Sequence, residues 1–330
     1  MSRTLVTGAT GFIGWRLAER WHAAGRDVIA TGLAVDKIER KRANGLRQAG
    51  VPLILGDLTE RSFREAVLDG VDTVIHLAAA QHQANVGKRF FFNINVGVTR
   101  DLLKESIERG VKRFFFASSI GVYGVNARPG IDEDTPLAPD NAYGRSKLEA
   151  ERVIAGFSDR IQLFVGRIGE TYGPGDMRLC KLYSAIMKKR FLLVGSGDNL
   201  HQPIYVDDLI EAIDRLISNP QAVSSPIILC GDRAVTTREM CESIAGSLGA
   251  SLGRFAVPMF PLLIAAVGME LTLGKVGIQP PLHRRRLDFF RKSLSFSTAR
   301  RERLLSLPPQ RSFEQGARET AAWYRDNGWL

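Results

Sequence analysis

Three glycines near the start of the chain constrain its fold more than any other feature. Residues 7–14 read TGATGFIG, between a short apolar run typical of a strand and an amphipathic segment typical of a helix. Gly8, Gly11 and Gly14 allow a tight turn, close approach of the backbone to a pyrophosphate, and close packing of the helix on the strand. The helix N-terminus adds free N–H groups and the positive end of a dipole. The pattern predicts a dinucleotide-binding loop, with a purely structural glycine turn as the alternative.

The rest of the first half alternates short apolar runs with helix-length segments. This β-α-β rhythm predicts an α/β chain with a Rossmann-type, doubly wound parallel sheet. The rhythm is interrupted after Arg167 by YGPGD, resumes with PIYVDDLIEAIDRLI, and later gives way to short helices and basic clusters. We therefore predict an NAD(P)-binding domain at residues 1–168 and 202–232. A smaller, discontinuous C-terminal substrate-binding domain would comprise residues 169–201 and 233–330.

The end of the second predicted strand bears on the choice of cofactor. Gly32 stands where a carboxylate usually binds the adenosine ribose, and the nearest acid is Asp36. Losing that carboxylate removes a repulsive partner for a 2′-phosphate, and a following basic run could attract one. The run comprises Lys37, Arg40, Lys41 and Arg42. The pattern favours NADP over NAD but leaves both open, since such a run is also typical of a solvated helix face.

Two residues four positions apart predict the chemistry. Tyr143 and Lys147 lie in AYGRSKLEAERVI, which has the composition of a helix, so both side chains share one face. A cation near a phenol stabilises the phenolate and lowers its pKa from about 10, which suits proton transfer near neutral pH. Ser119 ends the apolar run VKRFFFASS, where strand C-termini open into the ligand crevice, and its hydroxyl could hold a substrate carbonyl.

With these residues in view, the chain resembles the extended short-chain dehydrogenase/reductase family, also called the NAD-dependent epimerase/dehydratase family. TGATGFIG is similar to its TGxxGxxG loop, HLAA at 76–79 to its fourth-strand motif, SSIGVYG to its SSxxVYG strand, and YGRSK to its YxxxK pair. The resemblance implies that Tyr143 is the general acid/base, Lys147 binds the nicotinamide ribose, and Ser119 orients the reacting oxygen. The complete predicted cofactor-binding set is Gly8, Gly11, Phe12, Ile13, Gly14, Gly32, Asp57, Leu58, Ala78, Ala79, Asn95, Tyr143, Lys147 and Ile168.

The same resemblance limits the reaction. It implies hydride transfer at a secondary alcohol or ketone, and dehydratases of the family follow the Ser or Thr with an Asp-Glu pair that eliminates water. Here Ile120 and Gly121 occupy those positions. The sequence therefore predicts an epimerase, dehydrogenase or reductase and excludes a dehydratase.

Two departures from the family pattern concern the substrate. Glu170 in RIGETYGPGD and His201 in HQPIYVDDL replace an Asn and an Arg that are common in nucleotide-sugar enzymes, and we predict that both contact the substrate. The family favours a nucleotide-sugar epimerase or ketoreductase. The departures favour an enzyme similar to 3β-hydroxysteroid dehydrogenases that acts on a lipidic hydroxy or keto compound. A third alternative is a catalytically idle NAD(P)-binding regulatory protein.

Charge and hydropathy raise the question of a membrane. The net charge is +10, and residues 275–330 hold 12 Lys or Arg against 5 Asp or Glu, a surplus of 7. An apolar segment from Phe255 to Met269, too short to span a bilayer, precedes the arginine cluster Arg284, Arg285 and Arg286. A peripheral contact with an anionic membrane is one prediction, and a buried helix of the small domain is the alternative.

Other partners are fewer. No nucleic-acid reader motif accompanies the charge, so we predict no nucleic-acid partner. Three cysteines without CxxC spacing, Cys180, Cys230 and Cys241, favour a reducing compartment and no metal site. The N-terminus has no room for a signal peptide, which predicts a cytoplasmic protein. The resemblance further implies a small-molecule substrate and a homodimer.

Overall fold

Parallel strands form the centre of the computed structural model, which describes residues 2–81, 87–125, 129–253, 256–272 and 284–330. The strands are β1 (Thr4–Thr7), β2 (Val28–Gly32), β3 (Leu53–Leu55), β4 (Thr73–His76), β5 (Arg113–Ser119), β6 (Gln162–Ile168), β7 (Thr171–Tyr172), β8 (Leu193–Val194), β9 (Leu200–His201), β10 (Ile204–Tyr205), β11 (Pro226–Leu229), β12 (Val235–Thr236) and β13 (Ala256–Val257). Seven of them make one sheet in the order β11-β6-β5-β4-β1-β2-β3, and all neighbours are parallel.

Helices cover both faces of this sheet, and others belong to the smaller unit described below. In chain order the helices are α1 (Phe12–Ala23), α2 (Lys37–Gln48), α3 (Arg61–Val67), α4 (Lys88–Phe92), α5 (Thr99–Glu108), α6 (Ala142–Ala155), α7 (Met177–Met187), α8 (Val206–Ser218), α9 (Thr237–Ser247), α10 (Met259–Thr272), α11 (Arg284–Arg291), α12 (Ala299–Leu305) and α13 (Phe313–Asp326). Apolar residues of α1, α2 and α8 pack on one face, and those of α3, α5 and α6 on the other. The predicted doubly wound Rossmann-type fold is confirmed.

The central strand β5 shows why the predicted strands are continuous apolar runs in the sequence. Successive side chains of a strand point to opposite faces of a sheet. Phe115 packs with the α1 and α8 side, whereas Phe114 and Phe116 pack with the α5 and α6 side. All three rings are fully buried. Because both faces of a doubly wound sheet are covered, no polar alternation is left in such a strand.

A second, smaller unit lies beyond the carboxyl ends of the strands. Its short strand pairs are β7 with β10, β8 with β13, and β9 with β12. Helices α7, α9 and α13 pack around buried aromatic side chains, among them Tyr172, Tyr183, Phe313 and Tyr324. All seven strands of the main sheet lie within residues 1–168 and 202–232, but β10 of the smaller unit lies there too. The exact domain boundaries stay a prediction.

Helix α10 carries the described part of the apolar segment expected from the sequence. Phe260 is 72% exposed and Ile264 is 58% exposed, and Ala266 is the buried residue of this helix. Phe255 lies outside the described residues, as do the side chains of Arg284, Arg285 and Arg286. Among the described helices, none is both long enough and apolar enough to cross a bilayer. Peripheral membrane contact and homodimerisation stay predictions.

Candidate active site

The glycine loop turns in a way that side chains would block. Gly8 has a φ of +68°, and a Cβ there would lie 2.7 Å from the Ala78 nitrogen. A Cβ on Gly14 would lie 2.3 Å from the Gly8 carbonyl oxygen. Within the described structure, no side chain caps the first turn of α1 and that turn contains no acidic residue. The N–H groups of this helix end are therefore available to an anionic ligand, as a pyrophosphate requires.

A cavity of about 330 Å³ joins this loop to the carboxyl ends of the central strands. Ten of the sequence-predicted site residues line it: Gly8, Gly11, Phe12, Ile13, Gly14, Ala79, Ser119, Tyr143, Lys147 and Ile168. The phosphate-binding loop and the candidate catalytic residues thus share one cavity. The glycine cradle, which Cβ atoms would fill, fits a dinucleotide cofactor.

Helix α6 and strand β5 bring the candidate catalytic residues together. Asn141 caps α6 by accepting the Gly144 N–H at 2.9 Å, and Tyr143 and Lys147 follow one turn apart. The Ser119 hydroxyl lies near the Tyr143 phenol and accepts the Gly121 N–H at 3.1 Å. The Lys147 Nζ donates to the Ala117 carbonyl at 2.7 Å and lies 6.0 Å from the centre of the Tyr143 ring. The three side chains thus line one cavity at the carboxyl end of β5.

Burial, more than the neighbouring groups, sets the pKa values of this pair. Burial raises the pKa of Tyr143 to about 12, although the nearby Ser119 hydroxyl and the charge of Arg178 act in the opposite direction. Burial also lowers the pKa of Lys147 to about 7, against the attraction of Glu151. The expectation that Lys147 lowers the pKa of Tyr143 below 10 is therefore wrong for the ligand-free protein, because an ammonium group out of water tends to lose its charge.

The lowered pKa of Lys147 predicts a pH-dependent stability. Between about pH 7 and its ordinary pKa of 10.5, Lys147 binds a proton only in the unfolded chain, so the free energy of unfolding should rise with pH there. Lys147→Met removes the group and should flatten the profile by about 1.4 kcal/mol per pH unit. Urea unfolding of both proteins between pH 6 and 10.5 measures this difference. Parallel profiles would contradict the lowered pKa.

A buried polar network lies beside the carboxyl end of strand β5, which carries Ser119. The Ser118 hydroxyl donates to Glu151 on α6, and Arg167 on β6 donates to Glu151 through Nη2 at 2.8 Å. Arg167 also donates to the Tyr123 hydroxyl at 2.7 Å. Arg167 lies opposite Ser118 in the register of β5 with β6. The network ties together β5, β6 and α6, the three elements that position the catalytic residues.

Some predicted cofactor residues support the cavity from outside its lining. Asn95 is buried and exchanges two hydrogen bonds with the Ala80 backbone, at 2.8 and 2.9 Å. Its side-chain nitrogen also donates to the Ser146 hydroxyl at 2.9 Å, which fastens the end of β4 to α6. The Ala78 N–H donates to the Thr7 hydroxyl at 3.2 Å. These residues hold the cavity wall in place.

Others surround the expected adenosine end. A Cβ on Gly32 would lie 2.5 Å from the Thr10 hydroxyl, so this glycine is required by packing. The Asp36 carboxylate accepts the Ile38 and Glu39 N–H groups as the cap of α2, which occupies it. Asp57 is exposed and accepts the Thr59 N–H at 2.8 Å. Leu58 is buried in the apolar cluster below the sheet.

The basic run after β2 divides into two kinds of residue. Arg42 lines the cavity and donates to the Thr10 carbonyl at 3.2 Å and to the Gly175 carbonyl at 2.8 Å. It thus joins the glycine loop to the YGPGD loop, and burial lowers its pKa. Lys37, Arg40 and Lys41 are exposed.

Glu170 and His201 form a pair beside the main cavity. The His201 Nδ1 lies 2.9 Å from Glu170 Oε2, and its Nε2 lies 3.0 Å from both the Thr237 hydroxyl and the Phe289 carbonyl. Burial opposes both charges, yet the contact leaves the pKa of Glu170 lowered and that of His201 raised. Both ring nitrogens of His201 are engaged within the protein, so His201 positions Glu170.

Glu170 lines a second cavity of about 180 Å³. Its other lining side chains include the apolar Tyr172, Leu179, Met240 and Phe289. The two cavities share Thr171, Asp176 and Arg178, which our sequence analysis did not identify. These residues lie in β7, in the loop after it and in the first turn of α7, a short way beyond the end of β6, and that position was the signal available in the sequence.

The protein has a doubly wound parallel sheet, and one cavity contains both a dinucleotide-type glycine loop and a Ser-Tyr-Lys set. These features together define a short-chain dehydrogenase/reductase of the extended type. Sequence comparison agrees with this class. The chain belongs to the NAD dependent epimerase/dehydratase family, whose profile matches residues 4–231.

Individual relatives carry different activities. The chain is 30% identical to N-acetyl-alpha-D-glucosaminyl-diphospho-ditrans,octacis-undecaprenol 4-epimerase of Escherichia coli O157:H7, over 66% of this chain and 64% of that protein. It is 26% identical to sterol-4-alpha-carboxylate 3-dehydrogenase, decarboxylating, of Schizosaccharomyces pombe, over 98% and 97% of the two chains. A dTDP-glucose 4,6-dehydratase of Streptomyces antibioticus is 24% identical, over 98% of this chain and 92% of that one. Because dehydratases are among the relatives, the comparisons do not support our exclusion of that activity.

Solved structures support the fold. UDP-glucuronic acid 4-epimerase of Bacillus cereus, in complex with NAD, superposes with a TM-score of 0.78 at 18% identity and covers 98% of this chain and 96% of that one. At this identity the likeness establishes the fold alone.

Proposed function

We propose that this protein is an oxidoreductase that uses a nicotinamide dinucleotide to transfer hydride at a secondary alcohol or ketone. The position of Ser119, Tyr143 and Lys147 together in the cavity that also contains the glycine loop carries the proposal. A catalytically idle cofactor-binding protein would have no need of a buried proton donor there. The intact set therefore favours an enzyme.

In this mechanism the chain handles the proton. The Ser119 and Tyr143 hydroxyls bind the reacting oxygen, and Tyr143 gives its proton to a ketone oxygen or takes one from an alcohol. The raised pKa of Tyr143 keeps the phenol protonated at neutral pH, which suits the reductive direction. A nicotinamide dinucleotide held by the glycine loop and Lys147 would supply or accept the hydride. In the oxidative direction, Tyr143 would act as the phenolate, a form that a nearby positive charge favours.

The adenosine end supports acceptance of either dinucleotide. Gly32 brings no carboxylate to the end of β2, and the Asp36 carboxylate is occupied by the first N–H groups of α2. Arg42 donates to two backbone carbonyls. The exposed Lys37, Arg40 and Lys41 would therefore be the residues that attract a 2′-phosphate.

For the substrate, the second cavity favours a compound with an apolar body. Its walls are mostly apolar or aromatic, and its charged residues are Glu170, Asp176 and Arg178. Two carboxylates beside one arginine disfavour a diphosphate, so this geometry supports a lipidic hydroxy or keto compound, as in the sterol dehydrogenase relative. A nucleotide-sugar epimerase is the second candidate, supported by the UDP-glucose 4-epimerase of Vibrio cholerae at 28% identity.

We also propose that the enzyme does not eliminate water. Ile120 and Gly121 form part of a single 3₁₀ turn after Ser119, and Ile120 packs against an apolar cluster. Neither residue can exchange a proton, so this turn offers no acid/base pair for elimination.

A substrate and cofactor panel tests these proposals. The purified protein is assayed with NAD, NADP and their reduced forms against 3β-hydroxysteroids, 3-hydroxy fatty acids, UDP-glucose and dTDP-glucose, following absorbance at 340 nm and products by mass spectrometry. We expect turnover of an apolar alcohol or ketone and no dehydrated sugar. Interconversion of UDP-glucose and UDP-galactose would move the assignment to the second candidate. Absence of turnover with every compound, despite cofactor binding, would favour the idle protein.

A further inference from the structure

Arg178 lies where the two cavities meet. It is the second residue of α7, and it lines both the cavity that contains Tyr143 and the apolar cavity beside it. About half of its side chain, 53%, is exposed. The proposed mechanism gives this residue no task.

One edge of the Arg178 guanidinium is fixed by the protein and the other is open. Its Nε donates to Asp176 Oδ1 at 3.2 Å, and its Nη2 donates to the Thr171 carbonyl at 2.5 Å. Among the described residues, Nη1 has no hydrogen-bond acceptor. A guanidinium has five N–H donors in a planar fork, so the outer edge can still donate to two oxygens of one anion.

Asp176 has the features of a residue that orients Arg178. It is 2% exposed, and its Oδ1 accepts both the backbone N–H of Arg178, at 2.9 Å, and Nε. Two bonds from one carboxylate oxygen to the same residue restrict the side chain to one direction. An arginine whose fork is pre-oriented loses less conformational freedom when it binds a ligand.

The charges around this passage favour an anion of a single charge. Arg178 and Asp176 offset each other, Glu170 pairs with His201, and the guanidinium is the open donor. A diphosphate would bring two or more negative charges next to two carboxylates. A carboxylate brings one charge and matches the planar fork.

We propose that Arg178 binds a carboxylate of the substrate through the outer edge of its guanidinium, so that the substrate is a hydroxy or keto acid whose apolar part enters the second cavity. This inference rests on the proposed function and specifies its substrate class. Arg178 and Tyr143 line the same cavity, so a carboxylate bound by Arg178 would lie in the cavity that holds the reacting oxygen.

A binding experiment tests the inference without turnover. The background is Tyr143→Phe with bound NADH or NADPH, and the probes are 3-oxooctanoate and its methyl ester, which differ in charge but share the ketone and the chain. Isothermal titration measures both. We expect the acid to bind more tightly than the ester, and Arg178→Gln to weaken the acid by about 10- to 100-fold while changing the ester by less than about twofold. Arg178→Lys, which keeps the charge but not the fork, should recover part of the loss.

A matched control is Arg215→Gln. Arg215 on α8 is also 53% exposed and also binds a carboxylate through Nε, that of Glu211 at 2.8 Å, but it lines neither cavity. It should leave both probes unchanged, which separates a local site from the overall positive charge. Thermal unfolding of each variant checks that the fold is retained.

Several outcomes would overturn the inference. Equal binding of acid and ester by the parent protein would do so, as would equal weakening of both probes in Arg178→Gln. A loss of NADH or UDP-glucose affinity as large as the loss for the acid would assign Arg178 to a phosphate. Failure of the proposed function has a different signature, since acid binding would still depend on Arg178 while no alcohol or ketone is turned over.

Discussion

Tyr143→Phe is expected to reduce turnover by about two to four orders of magnitude, because it removes the hydroxyl that moves the proton. Cofactor binding should change by less than about twofold, since the glycine loop and the cavity wall are untouched. The measurement combines steady-state rates on the active compound with NADH affinity from fluorescence titration. A large loss of rate with intact cofactor binding is the signature of a proton-transfer residue.

Tyr183→Phe provides the matched control for this variant. Tyr183 is also buried, and its hydroxyl donates to the Ala317 carbonyl at 3.1 Å in the smaller unit. Its loss should cost about 1 kcal/mol of stability and little activity. Unchanged turnover in Tyr143→Phe would remove Tyr143 from the mechanism, and an equal loss in both variants would point to general damage.

Arg167→Met should be the most destabilising single change among those considered. Arg167 and Glu151 form an ion pair with side chains 5% and 8% exposed. Removal of the arginine leaves the Glu151 carboxylate buried without its cation, at a cost of about 3–5 kcal/mol. Since the free energy of unfolding of a domain is typically about 5–15 kcal/mol, this cost is a large part of its stability. Urea unfolding at pH 7 measures it.

Two further variants isolate the cause of that loss. In Arg167→Met/Glu151→Leu the carboxylate is also removed, so much of the lost stability should return. Arg152 and Glu149 form an exposed pair on the same helix α6, at 3.4 Å, and Arg152→Met should cost less than about 1 kcal/mol. A cost for Arg167→Met as small as that of Arg152→Met would show that the network contributes little.

Features encoded by short spacings could be predicted from the sequence. The glycine loop depends on three positions within seven residues, and the Tyr143 and Lys147 pair depends on one helical turn. Ser119 could be assigned to the site because the carboxyl ends of the strands in a doubly wound sheet open into the ligand crevice. The alternation of apolar runs and helical segments predicted the sheet for the same reason, since the periods of strands and helices are local properties.

Features that depend on distant segments could not be predicted in this way. Arg42 reaches Gly175 across more than one hundred residues, and Arg167 meets Glu151 only when β6 lies beside β5 and α6. The site residues Asp176 and Arg178 reach the cavity only because the segment after β6 packs with the smaller unit. Pattern alone does not indicate which partner a charged side chain will find.

The pKa values of the catalytic pair show the same division. The sequence by itself determined the fold class, the glycine loop and the candidate catalytic residues. The tertiary structure decided the electrostatics of Tyr143 and Lys147, because the number of atoms that exclude water from them depends on how α6 packs against β5. That exclusion raises the pKa of Tyr143 and lowers that of Lys147.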